Sequence, residues 1–289
     1  MHPQNHWYGH SQFLAEYAGL GPDRVPRIDG YLQHGWNVHN GFGIRTPLLP
    51  AVTKLVWSAR PMRRGWRYGD RNYRIIGSPW AYLLQVAPAA PVERSGTIFY
   101  PFHGIPTQSV TGDHAKLARE VRETEEGPLT AALYWLEYEQ PAIRRAYEQA
   151  GFRVICHGYR LGGFDRGSNA MLRNQLMELR RHRRVVSNRL ATAVLYGASV
   201  GCDVGIYGDE MLLADEHPIY GGNARIRRTW PQLHATFVDR EEAAAVADEE
   251  LGLSAILSPA ELADACGWSR PEPGETGPEL PHQRTDRRD

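Results

Sequence analysis

Three apolar runs in this chain end in a histidine followed by a glycine: Gln33-His34-Gly35, Phe102-His103-Gly104 and Cys156-His157-Gly158. An imidazole changes charge near neutral pH and can take a proton from a hydroxyl. A glycine beside it lets the backbone approach a ligand closely. Each step taken singly also fits a histidine satisfied by its own backbone. Three at equivalent positions point to one shared edge. A second cluster is Val185-Val186-Ser187-Asn188-Arg189, followed by LATAVLYGASVG. An apolar run delivers Ser187, Asn188 and Arg189 to the start of a helix rich in small residues. A helix start carries unpaired N–H groups and a partial positive charge, so it favours an anion. Ser187 and Asn188 also suit plain helix capping. Arg189, with Arg160 second, supplies the guanidinium fork that fits phosphate oxygens. Glu210, in Ile206-Tyr207-Gly208-Asp209-Glu210, can accept from ribose or sugar hydroxyls.

These groups need elements to hold them at one edge. Ser11–Leu20 has helical apolar spacing and stops at Gly21-Pro22. Ile28–Gln33, Thr53–Ser58 and Arg74–Ile76 read as strands, and Trp80–Leu84 as the start of a helix. Residues 85–95, with two prolines and several small residues, read as a linker. Beyond it strands at Thr97–Tyr100, Leu129–Leu136, Phe152–Cys156, Val185–Ser187 and Asp203–Tyr207 alternate with helices. The helices are read at Asp113–Glu125, Gln140–Ala150, Ser168–Arg181 and Leu190–Val200. That alternation predicts a parallel α/β sheet, whose ligands bind at the carboxyl ends of the strands. Thr229–Glu250 reads as one surface helix. Ser258-Pro259-Ala260-Glu261 is a capping box that opens a short helix. The expected organisation is a first unit over 1–88, a second over 96–268, and a disordered tail over 269–289.

The chain has 289 residues, with 33 basic and 33 acidic side chains. Zero formal charge argues against a protein that coats nucleic acid. The balance is uneven along the chain: residues 173–189 hold six arginines against one acid, Glu178. That suggests a small anionic ligand. No apolar run approaches the roughly 20 residues of a membrane span. The polar start, Met1 to His10, lacks a signal-peptide core. Cys156, Cys202 and Cys266 are too few for a disulfide framework, so a cytoplasmic location is expected. The P-loop, the GxGxxG dinucleotide turn, the GxSxG elbow and HExxH are all missing. No metal-ligand or Asp-x-Asp motif is found, so the expectation is chemistry with no metal and no cofactor.

Several short motifs resemble a family. Gly30-Tyr31-Leu32-Gln33-His34-Gly35-Trp36, Leu55-Val56-Trp57-Ser58 and Ile76-Gly77-Ser78-Pro79 resemble the amino-terminal half of bacterial cell-surface polysaccharide transferases. Thr97-Ile98-Phe99-Tyr100-Pro101-Phe102-His103, Gly151-Phe152-Arg153-Val154, Val186-Ser187-Asn188-Arg189 and Ile206-Tyr207-Gly208 resemble the later strands. The group includes capsule glycosyltransferases and the glycerophosphotransferases of teichoic-acid synthesis. The resemblance implies a GT-B-like α/β fold: two Rossmann-like domains facing across a cleft, the first one reduced. It implies a nucleotide-activated sugar donor on the second domain and a hydroxyl acceptor, lipid-linked carriers included. His34 would be the base and His103 would face it across the cleft. Ser187, Asn188 and Arg189 would sit by the donor phosphate; the reading of the residues themselves adds Arg160, His157 and Glu210 as donor contacts. Two other readings stand beside this one. One is a sialyltransferase-like or phosphotransferase enzyme using Glu216-His217-Pro218. The other is a non-catalytic nucleotide- or carbohydrate-binding scaffold.

Overall fold

The computed structural model describes residues 2–21, 25–43, 46–89, 93–160 and 170–268. A 3-10 segment, Pro3–Gly9, leads into helix α1 (His10–Tyr17). Strands β1 (Tyr31–Leu32), β2 (Lys54–Val56) and β3 (Tyr73–Ile75) then form a parallel three-stranded sheet in that order. Helix α2 (Ala59–Arg67) links β2 to β3, and α3 (Pro79–Val86) follows β3. Nothing in the sequence pattern announced α2, which contains Pro61 and Gly65. It starts because Ser58 accepts the Arg60 N–H. Gly65 is required by packing, since a Cβ there would lie 1.9 Å from the Tyr73 hydroxyl.

The second sheet contains β4 (Thr97–Tyr100), with β5 (Val110–Thr111) lying outside it in a small two-stranded pair. Helix α4 (His114–Thr124), capped by Asp113, leads to β6 (Leu129–Ala132). Helices α5 (Trp135–Tyr138) and α6 (Pro141–Gln149) lead to β7 (Arg153–Ile155). Helix α7 (Ala170–Arg181), β8 (Arg184–Ser187), α8 (Thr192–Ser199) and β9 (Asp203–Ile206) complete it. The expected start of α7 at Ser168 lies outside the described residues, as do the tail and residues 90–92 of the linker. The sheet order is β7-β6-β4-β8-β9, all parallel. In chain order this is 3-2-1-4-5, the doubly wound order, with its switch point between β4 and β8.

After β10 (Leu212–Leu213), which pairs antiparallel with β5, the single helix expected over Thr229–Glu250 is instead broken. Helix α9 (Gly222–Thr229) stops before Pro231, which opens a 3-10 turn. Proline has no N–H to continue a helix. Helix α10 (Arg240–Leu251) begins afresh where Asp239 accepts the Glu242 N–H at 2.9 Å. The capping box at Ser258 is present and opens α11 (Pro259–Ala265).

The expected α/β architecture of two parallel sheets, the first one reduced, is the one observed. Each sheet has apolar clusters of its own, and one further cluster joins the two units. Phe13, Trp57, Trp80 and Leu83 share one apolar cluster with Ile98, Val185, Leu195 and Leu251. Trp80 of α3 stacks on Tyr196 of α8 with ring centres 4.0 Å apart, and its Nε1 donates to Ser199 Oγ at 2.8 Å. At the joint Glu250, 1% exposed, accepts from Trp36 Nε1 at 2.8 Å and Arg64 at 3.0 Å. The chain also returns. Leu262, Cys266 and Trp268 pack with Leu14, Leu32, Leu55 and Ile76 of the first unit.

Candidate active site

A cavity of about 440 Å³ lies where the carboxyl ends of both sheets meet. From the first unit, His34, Gly35, Trp36, Asn37 and Val38 line it just beyond β1, together with Tyr8 and His10. From the second, Tyr100 ends β4 and Pro101 to His103 follow it, Leu133 and Tyr134 follow β6, and His157 and Gly158 follow β7. Arg189 to Ala193 follow β8. The three His-Gly steps therefore converge on one cavity because each lies just past the carboxyl end of a strand that opens on it.

His34 sits edge-on to Trp7 at 4.5 Å, and its Nδ1 is buried without a hydrogen-bond partner. Burial, helped by the nearby Arg160 charge and by His2, lowers its pKa to about 4. The ring is neutral at physiological pH. His103 stacks on Tyr134 at 4.2 Å, and its Nδ1 lies 2.6 Å from the Gly104 carbonyl. A carbonyl only accepts, so Nδ1 carries the proton and Nε2 is left as the acceptor. The Gly104 N–H donates to buried Glu137 at 2.7 Å. Burial lowers the His103 pKa against the opposing pull of that carbonyl and of Glu137. His157, also pushed down to about 4 by burial, bonds the Tyr100 hydroxyl through Nε2 at 2.9 Å.

Arg160 stacks its guanidinium over Trp7 at 4.2 Å, behind His34 and not on the cavity wall. Its carbonyl accepts from Tyr8 N–H at 2.9 Å, which pins the amino-terminal segment. Tyr8 reaches the cavity through a left-handed backbone, φ 60°, followed by Gly9 at φ 79°.

The loop after β8 divides its expected donor ligands into two groups. Ser187 Oγ donates to the Tyr100 carbonyl at 2.7 Å and is buried. Asn188 accepts from Phe102 N–H and donates to the Asp209 carbonyl, both at 2.7 Å. These two side chains are consumed in tying strand ends together. Neither caps α8, whose N-cap residue is Ala191 with no side-chain bond. The first turn of α8, at Thr192 and Ala193, lines the cavity beside Arg189. Arg189 lies flat on Phe102 at 3.9 Å. Its Nε donates to the Glu210 carbonyl at 2.7 Å and its Nη2 to that of Met211 at 2.6 Å. Nη1 remains for other contacts.

Glu210 is not on the cavity wall; its carboxylate pairs with Arg227 of α9. His217 is exposed and caps the turn Pro218–Tyr220, while its neighbour Glu216 does line the cavity. The arginine-rich stretch 173–189 is largely spent internally: Arg173 pairs with Glu16, Arg181 with Glu178 and Arg184 with buried Glu125. It forms no funnel toward the cavity. Sequence reasoning missed Tyr8, Trp36, Tyr134 and Thr192. Trp36 and Tyr134 sit just past strand ends, so the strand-end rule would have found them. Tyr8 comes from outside the sheets and left no signal. Among the described residues, no three His, Cys, Asp or Glu side chains are grouped to hold a metal, and no helix is long and apolar enough to cross a membrane.

No protein-family model matches the chain, and no curated protein matches it by sequence. Two of the solved structures that match the chain are as follows. One is a variant of S. aureus TarM in complex with fondaparinux, α-GlcNAc-glycerol and UDP. It is 13% identical, with a TM-score of 0.33, over 74% of this chain and 40% of that one. The other is a variant of Os79 from O. sativa in complex with UDP, also 13% identical with a TM-score of 0.33. It covers 74% of this chain and 49% of that one. The chain spans less than half the length of either structure.

Proposed function

We propose that the cavity binds a nucleotide-activated sugar and transfers the sugar, without a metal, to an acceptor hydroxyl. The observation that carries this reading is the uncapped start of α8. It opens on the cavity at the β4/β8 switch point, close after Arg189, and His34 lines the same cavity. Free N–H groups and a guanidinium suit a diphosphate. As the leaving nucleotide gains charge, the same groups stabilise it more strongly than they do the bound donor. His34 enters from the first unit as the base for the acceptor hydroxyl. Burial keeps its ring neutral, so that it can accept a proton, while the same lowered pKa makes it a weaker base than a free imidazole. His103 Nε2 offers a second acceptor on the facing wall. A polyol phosphate in place of the sugar would use the same phosphate groups. A surface polysaccharide or a glycosylated metabolite is the product class this reading favours.

The test is His34→Ala with an identified donor. Turnover should fall by about 10²–10⁴-fold, the usual span for a general base, while donor affinity stays within a few fold. Full turnover in the variant would remove His34 from the mechanism.

A further inference from the structure

His103 is gripped by the segment that follows β6. Tyr134 lies just past that strand, and Glu137 stands three residues further on, in α5. The Tyr134 ring stacks on the His103 ring at 4.2 Å, with 23° between their planes. Glu137 Oε1 accepts the Gly104 N–H at 2.7 Å. The Gly104 carbonyl in turn accepts the His103 Nδ1–H at 2.6 Å. One segment therefore holds both the imidazole ring and the residue that fixes its proton.

The reach of Glu137 is unusual for its place. It is the third residue of α5, and the N-cap, Tyr134, makes no side-chain capping bond. A glutamate at that position commonly turns back to the N-cap N–H of its own helix. Glu137, which is buried, instead crosses 33 positions of sequence to Gly104. Gly104 is confined on its other side as well. A Cβ there would lie 2.7 Å from the Gln108 carbonyl oxygen and 3.4 Å from Glu137 Oε1. Ile105 and Gln108 close a turn on each other through two backbone bonds of 2.9 Å. Glycine has the widest choice of backbone angles. The Gly104 carbonyl therefore stays on His103 only while the Gly104 N–H is held. The bond made by one ring nitrogen decides which of the two carries the proton. With Nδ1–H engaged, Nε2 keeps its lone pair; in the other tautomer Nε2 carries the hydrogen and accepts nothing.

We propose that Glu137 is a positioning residue: acting through Gly104, it keeps the His103 proton on Nδ1 and leaves Nε2 as the proton acceptor. His103 and Tyr134 line the cavity, whereas Glu137 stands behind them. The assignment deepens the transfer reading and rests on it for the use made of Nε2, not for the tautomer itself.

Nuclear magnetic resonance of the full chain, isotopically labelled in its histidines, tests it. Long-range proton–nitrogen correlations read which ring nitrogen is protonated, and His103→Gln identifies the His103 signals by their loss. The spectra are taken at about pH 8, above the ordinary imidazole pKa of about 6.5. In the parent, His103 should carry its proton on Nδ1. Glu137→Ala should shift it toward the Nε2–H form and speed exchange of the Gly104 amide by about tenfold. Glu137→Gln, whose side-chain carbonyl can still accept the Gly104 N–H, should keep the parent pattern. His157, bonded to the Tyr100 hydroxyl, should be unchanged throughout. Melting temperatures confirm that the variants fold. Should Glu137→Ala not fold, Glu137→Leu, which keeps the volume and loses the acceptor, takes its place. An Nε2–H form in the parent would overturn the proposal without any variant. So would the parent pattern persisting in Glu137→Ala, or an equal loss in Glu137→Gln. Nucleotide-induced thermal shifts, run on the same variants, should match the parent. Failure of the tautomer result with the shifts intact removes only the role of Glu137, and absence of the shifts in the parent removes only the transfer reading.

Discussion

Asn188 holds Phe102: its Oδ1 accepts the Phe102 N–H at 2.7 Å, while its Nδ2 donates to the Asp209 carbonyl at 2.7 Å. One side chain thus ties the ends of β4, β8 and β9 together at the switch point. Asn188→Ala should cost about 1–3 kcal/mol, because two part-buried backbone groups lose their partner. Chemical denaturation measures this. Its Cm should fall with m unchanged. A change below ~0.5 kcal/mol would show that the clamp is not needed.

Three histidines buried around the cavity carry a pH dependence. His10 is pushed down to about 3, and His34 and His157 to about 4, in each case chiefly by burial. Unfolded, each titrates near 6.5. Between about pH 6.5 and 4 the unfolded chain therefore binds more protons than the folded one, so stability rises with pH across that window. It should be fully present above about pH 7 and fall by more than ~1 kcal/mol per pH unit on acidification. Thermal melts from pH 8 to about 4.5 read this directly. A flat profile would mean that these imidazoles bind protons in the fold as they do in the unfolded chain.

Glu250 joins the two sheets through Trp36 and Arg64. Glu250→Ala should destabilise by roughly 3–5 kcal/mol, since it leaves the half-buried Arg64 without its partner and opens a gap at the joint. Glu250→Gln keeps the Trp36 bond and should cost less. The two melting curves should be ordered parent, Gln, Ala. Equal curves for all three would place the joint elsewhere.

The second sheet was legible because its strands are short apolar runs between helices of ordinary spacing. Thr97–Tyr100 is found as read, and the other four strands within a few residues. The strand-end rule likewise placed His34, His103, His157 and Arg189 at one edge. What the chain hid was side-chain commitment. Ser187 and Asn188 have the types of phosphate ligands, but their partners, Tyr100, Phe102 and Asp209, come from distant positions. Glu210 points to Arg227 for the same reason. Charge runs misled as well. Within 173–189, Arg173 and Arg184 meet acids from other elements and Arg181 one on its own helix, whereas the arginines of α2 stay partly unmatched, in a helix that Pro61 and Gly65 disguised. The break at Pro231 was visible as a proline but was outweighed by the acidic periodicity after it.

The central claim is that the open start of α8 receives a nucleoside diphosphate. Ala193 lies in its first turn on the cavity wall, so Ala193→Glu places a carboxylate against any bound phosphate. Thermal stability of the parent and of this variant, each titrated with a panel of uridine, cytidine, guanosine and thymidine diphosphates, is the most direct measurement. At least one nucleotide should stabilise the parent by about 2.7 kcal/mol at 100 times its Kd. The same nucleotide should leave Ala193→Glu unmoved, with the unliganded melts alike. No shift with any nucleotide, or an equal shift in the variant, would contradict the account.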